Sequence, residues 1–145
     1  MVYKRITVYN KQKAIALSLP AVTKLAKALL AFLKIPNYEM ILHFVAPATI
    51  KKIHKNFFND PLITDCITFP YSPPFLGEIF ICPKAAILYC KKYGGNVKKE
   101  VTLYLVHGIL HLIGYDDIQA SQRRKMRRME EKCMKYLYEH SLLLA

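Results

Sequence analysis

The chain has 145 residues, 53% of them hydrophobic, and its 22 Lys and Arg outweigh 10 Asp and Glu to give a formal charge of +12. That length suits one domain able to bury a real core, and the apolar content excludes an intrinsically disordered chain. A field of this sign draws polyanions, whether RNA, DNA or an anionic membrane surface, and does not choose among them. The opening MVYKRITVYN has no apolar core of the export-signal kind. The longest apolar stretches, such as VTLYLVHGILHLIG, fall short of the ~20 residues that a membrane helix needs. Cys66, Cys82, Cys90 and Cys133 form no CxxC pair, which suits a reducing cytoplasm and disfavours a cysteine zinc site. The expectation is a soluble, cytoplasmic protein with no membrane partner.

ITVYN reads as a first strand. SLPAVTKLAKALLAFLKI follows as a helix, capped by Ser18 and ended by Pro36 and Asn37, with Val22, Leu25, Leu29, Leu30 and Leu33 at helical spacing. YEMILHFVA is short, apolar and flanked by breakers, as a buried strand would be. Pro47 opens a second helix through KKIHKNFF, with Pro61 beyond its end. TDCITFP and LGEIFIC are the third and fourth strands, separated by the loop PYSPP. Pro83 starts the helix KAAILYCKKY, which Gly94 and Gly95 terminate. KKEVTLYLVHGILHLI is a long helix stopping near Gly114, and SQRRKMRRMEEKCMKYLYEH is the last. These elements predict one α+β domain over 1–145, a small mixed four-stranded sheet packed with about five helices.

HGILHLIGYDD (107–117) carries the chemistry. Residues four apart on a helix stand one turn above each other, so His107 and His111 can aim two imidazoles at one point, as zinc requires of two ligands. The helix stop at Gly114 can then bring Asp117 back beside them. Two core histidines bonded to carbonyls are the alternative, with Asp116 or Asp117 capping the last helix; for Asp116 the cap is preferred. The spacing is also that of zinc proteases of the HExxHxxGxx(H/D) kind. Their general-base Glu would fall at position 108, which is Gly here, and this counts against peptide hydrolysis.

HGILHLIGYDD resembles the HGxLHLxGYDH signature of the YbeY family, metal-dependent endoribonucleases specific for single strands and ribosomal RNA maturation factors. TDCITFP (64–70) is similar to the family's TDVLSFP strand, and LGEIFIC (76–82) to its LGDIxIS strand. The helix carrying Asn56 resembles the family's segment before that strand, so the likeness spans most of the chain. It implies one zinc ion per chain, held by His107, His111 and Asp117, and catalysis at the same histidines. Asp117 stands where the family has a third histidine. A carboxylate oxygen ligates zinc at ~2.0–2.2 Å, but the added charge weakens the Lewis acid and can shift preference to harder ions such as manganese. Phe58 stands where the family has an arginine, and Glu78 replaces its strand aspartate.

The implied reaction is cleavage of single-stranded RNA, in maturation of the 3′ end of small-subunit ribosomal RNA and ribosome quality control, with the ribosome or its proteins as partners. Glu78 is the candidate base or orienting group, or else an exposed strand carboxylate; the RNA's own 2′-hydroxyl is the other nucleophile open to the reaction. Lys52, Lys55, Lys91, Lys92, Arg123, Arg124 and Arg127 are the candidate RNA contacts. The last helix buries Met126, Met129, Cys133 and Leu137 as a stripe and turns its arginines outward. Tyr71 and Phe75 can stack on unpaired bases or simply pack. A non-catalytic RNA- or ribosome-binding assembly factor with an eroded site is the competing expectation, and a zinc protease the weakest.

Overall fold

Strand alternation and chain breakers account for most of the element order. The structure, a computed structural model, describes residues 3–58 and 66–144, except the side chains of residues 57 and 58. The expectations for Phe58, Thr64 and Asp65 therefore lie outside the described side chains. The elements are β1 (Lys4–Lys11), α1 (Leu19–Phe32), β2 (Tyr38–Val45), α2 (Pro47–Phe58), β3 (Cys66–Pro70), β4 (Phe75–Ile81), α3 (Pro83–Tyr93), α4 (Val97–Leu112) and α5 (Ala120–Glu139). The sheet order is β1-β2-β4-β3. β1 and β4 both run parallel to β2, and β3 is antiparallel to β4, so the sheet is mixed. The fold is α+β, as the sequence predicts.

Two shifts from the expected boundaries have plain local causes. α1 ends at Phe32 rather than running to Ile35, because Pro36 disfavours helical backbone at the residue before it, and Lys34 turns to φ 61°. Cys82 leaves β4 to become the N-cap of α3, whose first residue is Pro83. Ser18 does cap α1, accepting from the Ala21 N–H at 3.2 Å. No helix among the described residues is long and apolar enough to cross a membrane.

Strand alternation splits the sheet into two unlike faces. Met40, Leu42, Phe44, Ile79 and Ile81 turn to one side and join Leu25, Leu29, Leu105, Ile109 and Leu110 in the main core. On the other side, Ile67, Phe69 and Phe80 pack with Ile50 and Ile53 of α2 in a smaller cluster. α4 is apolar nearly all round and is buried accordingly, from Val101 to Leu112.

Close approach between α4 and the sheet requires glycine twice. A Cβ on Gly108 would come within 2.8 Å of Ile79 Cγ2 and 3.0 Å of Cys66 Sγ. Gly77 in β4 has φ 144°, and a Cβ there would overlap the Phe69 carbonyl oxygen and press on Leu112 of α4. Gly77→Ala is therefore expected to cost more than about 2 kcal/mol, combining backbone strain with overpacking. Urea unfolding monitored by far-UV circular dichroism checks this; an unchanged midpoint would show that the sheet and helix have room to spare.

Candidate metal centre

His107 and His111 stand one turn apart near the C-terminal end of α4, and each ring is held by its Nδ1. The carbonyl oxygen of Tyr115 lies 3.0 Å from His111 Nδ1. A carbonyl only accepts, so this Nδ1 carries the proton and the lone pair belongs to Nε2. A Glu130 carboxylate oxygen lies 3.1 Å from His107 Nδ1 and selects the same tautomer there. The two Nε2 atoms then meet at 3.0 Å, with the rings edge to face at 83°.

The helix stop supplies the third group. Tyr115 N–H bonds back to the Leu110 carbonyl at 2.9 Å and Gly114 N–H to that of His111 at 3.1 Å, while Gly114 takes φ 110°. This paired closure is the Schellman arrangement, which only a left-handed residue completes without strain. It also delivers the Tyr115 carbonyl to His111. Beyond it, Asp117 places Oδ2 at 3.6 Å from His107 Nε2 and 3.7 Å from His111 Nε2. Asp116 Oδ1 accepts from the Asp117 N–H at 2.7 Å, so Asp116 tightens this loop. It does not cap α5, as expected from sequence; that position falls to Gln119, whose N–H donates to Gln122 Oε1 at 3.2 Å. Arg123 completes the bracing by donating to the Ile118 carbonyl at 2.6 Å.

His107, His111 and Asp117 are the one cluster of possible metal ligands among the described residues. Four-coordinate zinc with bonds of ~2.0–2.1 Å sets neighbouring ligand atoms about 3.3 Å apart. The observed edges of 3.0, 3.6 and 3.7 Å bracket that spacing. Two imidazole lone pairs and a carboxylate repel one another at such distances, and a proton or a metal ion is what lets them share the space. The donor set therefore fits a divalent cation.

The remaining sequence candidates are dispersed. Glu78 is not brought to the histidines: alternation along β4 sends it to the face away from α4. There it lies 3.0 Å from His43 Nε2 and accepts from Tyr71 Oη at 3.0 Å. Its expected role as base or orienting group has no support in this geometry. Lys52 and Lys55 ride on α2, in the layer on that same far face. Tyr71 and Phe75 stack on each other, with centroids 4.8 Å apart. Arg123 and Arg127 do reach the centre, lining a cavity of about 230 Å³ with His107, Asp117, Met126 and Glu130. Arg124 is exposed on α5, and Lys91 and Lys92 on α3.

Sequence reasoning missed Glu130. Its signal was a carboxylate set in the apolar stripe of α5, between buried Met126 and Cys133. Burial, with the nearby Glu130 carboxylate adding to it, pushes the Cys133 thiol up to about 11. Gly108 has a structural reason as well. The position of the protease general base faces Ile79 and Cys66, where no longer side chain fits.

The family model for Endoribonuclease YbeY matches residues 7–138. The chain belongs to the YbeY family. A YbeY endoribonuclease of Chlamydia pneumoniae is 37% identical over 152 residues, covering 97% of this chain and 96% of the relative. That of Protochlamydia amoebophila is 37% identical over 145 residues, covering 96% and 97%. A solution structure of a Thermotoga maritima protein superposes with a TM-score of 0.69 at 23% identity, covering 93% of this chain and 90% of the other, which shows the shared fold.

Glu130 orients His107 of the cluster that could hold a divalent cation, and where an ion is bound such partners are worth about 10–100-fold in its affinity. Glu130→Ala is expected to weaken divalent-metal binding by about that factor, whereas Glu130→Gln, which still offers an oxygen to the Nδ1–H, keeps most of it. Competition with a chromophoric chelator measures both; equal loss in the two variants would assign Glu130 a packing role only.

Proposed function

We propose that this protein is a metal-dependent endoribonuclease acting on single-stranded RNA, with precursor small-subunit ribosomal RNA as its substrate and the cytoplasm as its place of work. The observation that carries the proposal is the convergence of His107 Nε2, His111 Nε2 and Asp117 Oδ2, with edges of 3.0–3.7 Å, in a chain whose full-length relatives bear the endoribonuclease name. A divalent cation held by these three groups, zinc or a harder ion such as manganese, supplies Lewis acidity towards a phosphodiester oxygen and acidifies water.

The protein's own contribution is to hold and to attract. Glu130 and the Tyr115 carbonyl fix both ring tautomers, so the ligand geometry exists before substrate arrives. Arg127 lines the adjoining cavity and offers a planar cation to phosphate, and Arg123 lies beside it. The +12 charge draws the polyanion to the surface. Among the described residues, the carboxylates lining that cavity are Asp117 and Glu130, and the incoming nucleophile is water or the RNA 2′-hydroxyl.

An unstructured oligoribonucleotide incubated with purified protein and zinc or manganese tests this. Cleavage should stop in excess chelator, and His111→Ala should lower the rate at least about 100-fold, since a lost ligand removes several kcal/mol of charge stabilisation. Asp117→His should retain cleavage and hold zinc at least as well. Bound metal without RNA cleavage under any of these ions would overturn the proposal and leave an RNA-binding assembly factor.

A further inference from the structure

We propose that Arg123 is a positioning residue for the third ligand: its guanidinium clamps the backbone of the Asp117–Ile118 turn and so keeps Asp117 Oδ2 beside the two histidines. This rests on His107, His111 and Asp117 being a cation site, whatever reaction that site serves.

The turn that carries Asp117 projects from the body of the protein. α4 ends at Leu112 and α5 begins at Ala120. Between them the chain closes the helix stop through Gly114 and Tyr115, then runs out to Asp117 and Ile118. Ile118 is 75% exposed, so its side chain lends the turn almost no burial. The bond from the Asp117 N–H to Asp116 Oδ1 lies within the turn and does not tie it to either helix. Arg123 makes that tie. Its Nη1 donates to the Ile118 carbonyl at 2.6 Å and, less closely, to the Asp117 carbonyl at 3.4 Å. Its own backbone is fixed in α5 by the bond from its N–H to the Gln119 carbonyl at 2.9 Å. The helix that aims His107 through Glu130 thus also holds the residue that supplies the carboxylate.

Charge alone would not put an arginine here. The opening of a helix disfavours a cation, and α5 has no acid in its first turn to offset one. A neighbouring dication disfavours it again, and Arg123 lines the same cavity as His107 and Asp117. From sequence Arg123 is expected to contact RNA, but the geometry commits one of its donors to the backbone. The two roles differ in sign. If Arg123 acts only as a nearby charge, its removal tightens metal binding. If it is a clamp, its removal frees the turn, Asp117 leaves the histidines and affinity falls.

Zinc affinity of the full chain, measured by competition with a chromophoric chelator of micromolar affinity, tests this. Arg123 is exposed, so its truncation leaves no cavity. Arg123→Ala should weaken binding about tenfold, the low end for outer partners of metal ligands. In an Asp117→Ala background the same change should weaken it no further, because the clamp acts through that carboxylate. Arg123→Lys, which keeps the charge and a donor for the nearer carbonyl, should recover most of the loss. In metal-free protein, Arg123→Ala should speed amide exchange of residues 114–119 about fivefold, the weight of one lost hydrogen bond. Affinity unchanged or raised in Arg123→Ala, an equal loss in both backgrounds, or unchanged exchange in the turn would each overturn the assignment. A parent chain that binds no zinc would fail the cation site instead, and the exchange measurement would still decide whether Arg123 holds the turn.

Discussion

Everything at the candidate centre depends on where two protons sit. Imidazole offers a metal the lone pair of one nitrogen while the other nitrogen keeps the proton and donates it in a hydrogen bond. Here a backbone carbonyl accepts one such bond and a carboxylate the other. The carbonyl belongs to Tyr115, the residue that closes the helix stop, so the hydrogen bonds that end α4 also aim His111. The carboxylate belongs to Glu130 of α5, so the docking of the last helix aims His107. One ligand is thus governed by local backbone geometry and the other by tertiary packing. Any change that slides α5 along α4 acts on His107 first.

That division makes the packing of α4 a functional quantity. α4 sits against the sheet at Gly108 and Leu112, and both contacts have no slack. A protein interior close-packed in this way transmits displacement and does not absorb it. Glycine at position 108 lets α4 lie close against Ile79 and Cys66, with His107 on the side that Glu130 of α5 reaches.

Much of this was legible in the sequence, for reasons that are local. Spacing of four within an apolar run followed by glycine specifies two stacked imidazoles and a left-handed stop, and that stop is closed by bonds between neighbours in sequence. Prolines and glycines placed most element ends for the same reason. Glu78 failed because its side of the sheet follows from alternation and from which face α4 covers, and only the second depends on distant chain. Asp116 failed because Asx residues serve loops and caps equally well, and the helix began three residues later than it needed. Glu130 was hidden by its company. In a run rich in Arg and Glu, a carboxylate facing inward looks like its solvated neighbours until the partner across the helix interface is known.

The aspartate at position 117 links metal chemistry to the charge of the whole molecule. Its side chain is 43% exposed against 27% and 25% for the two histidines, so it forms the open rim of the cluster. A carboxylate there hardens the ligand set and lowers the charge left on any bound dication. RNA approaching such a centre meets less positive charge from the metal than an all-histidine site would provide. Arg127 and Arg123 border the same cavity, and α3 continues the positive surface without an acid. Attraction of phosphate then rests less on such an ion and more on these cations of the protein. Spread charge of this kind is screened by salt over about 10 Å at 0.1 M ionic strength, whereas a ligand-held cation beside phosphate is screened far less. Under the proposed function, capture of the polyanion therefore falls to surface cations, while the three converging groups hold the ion.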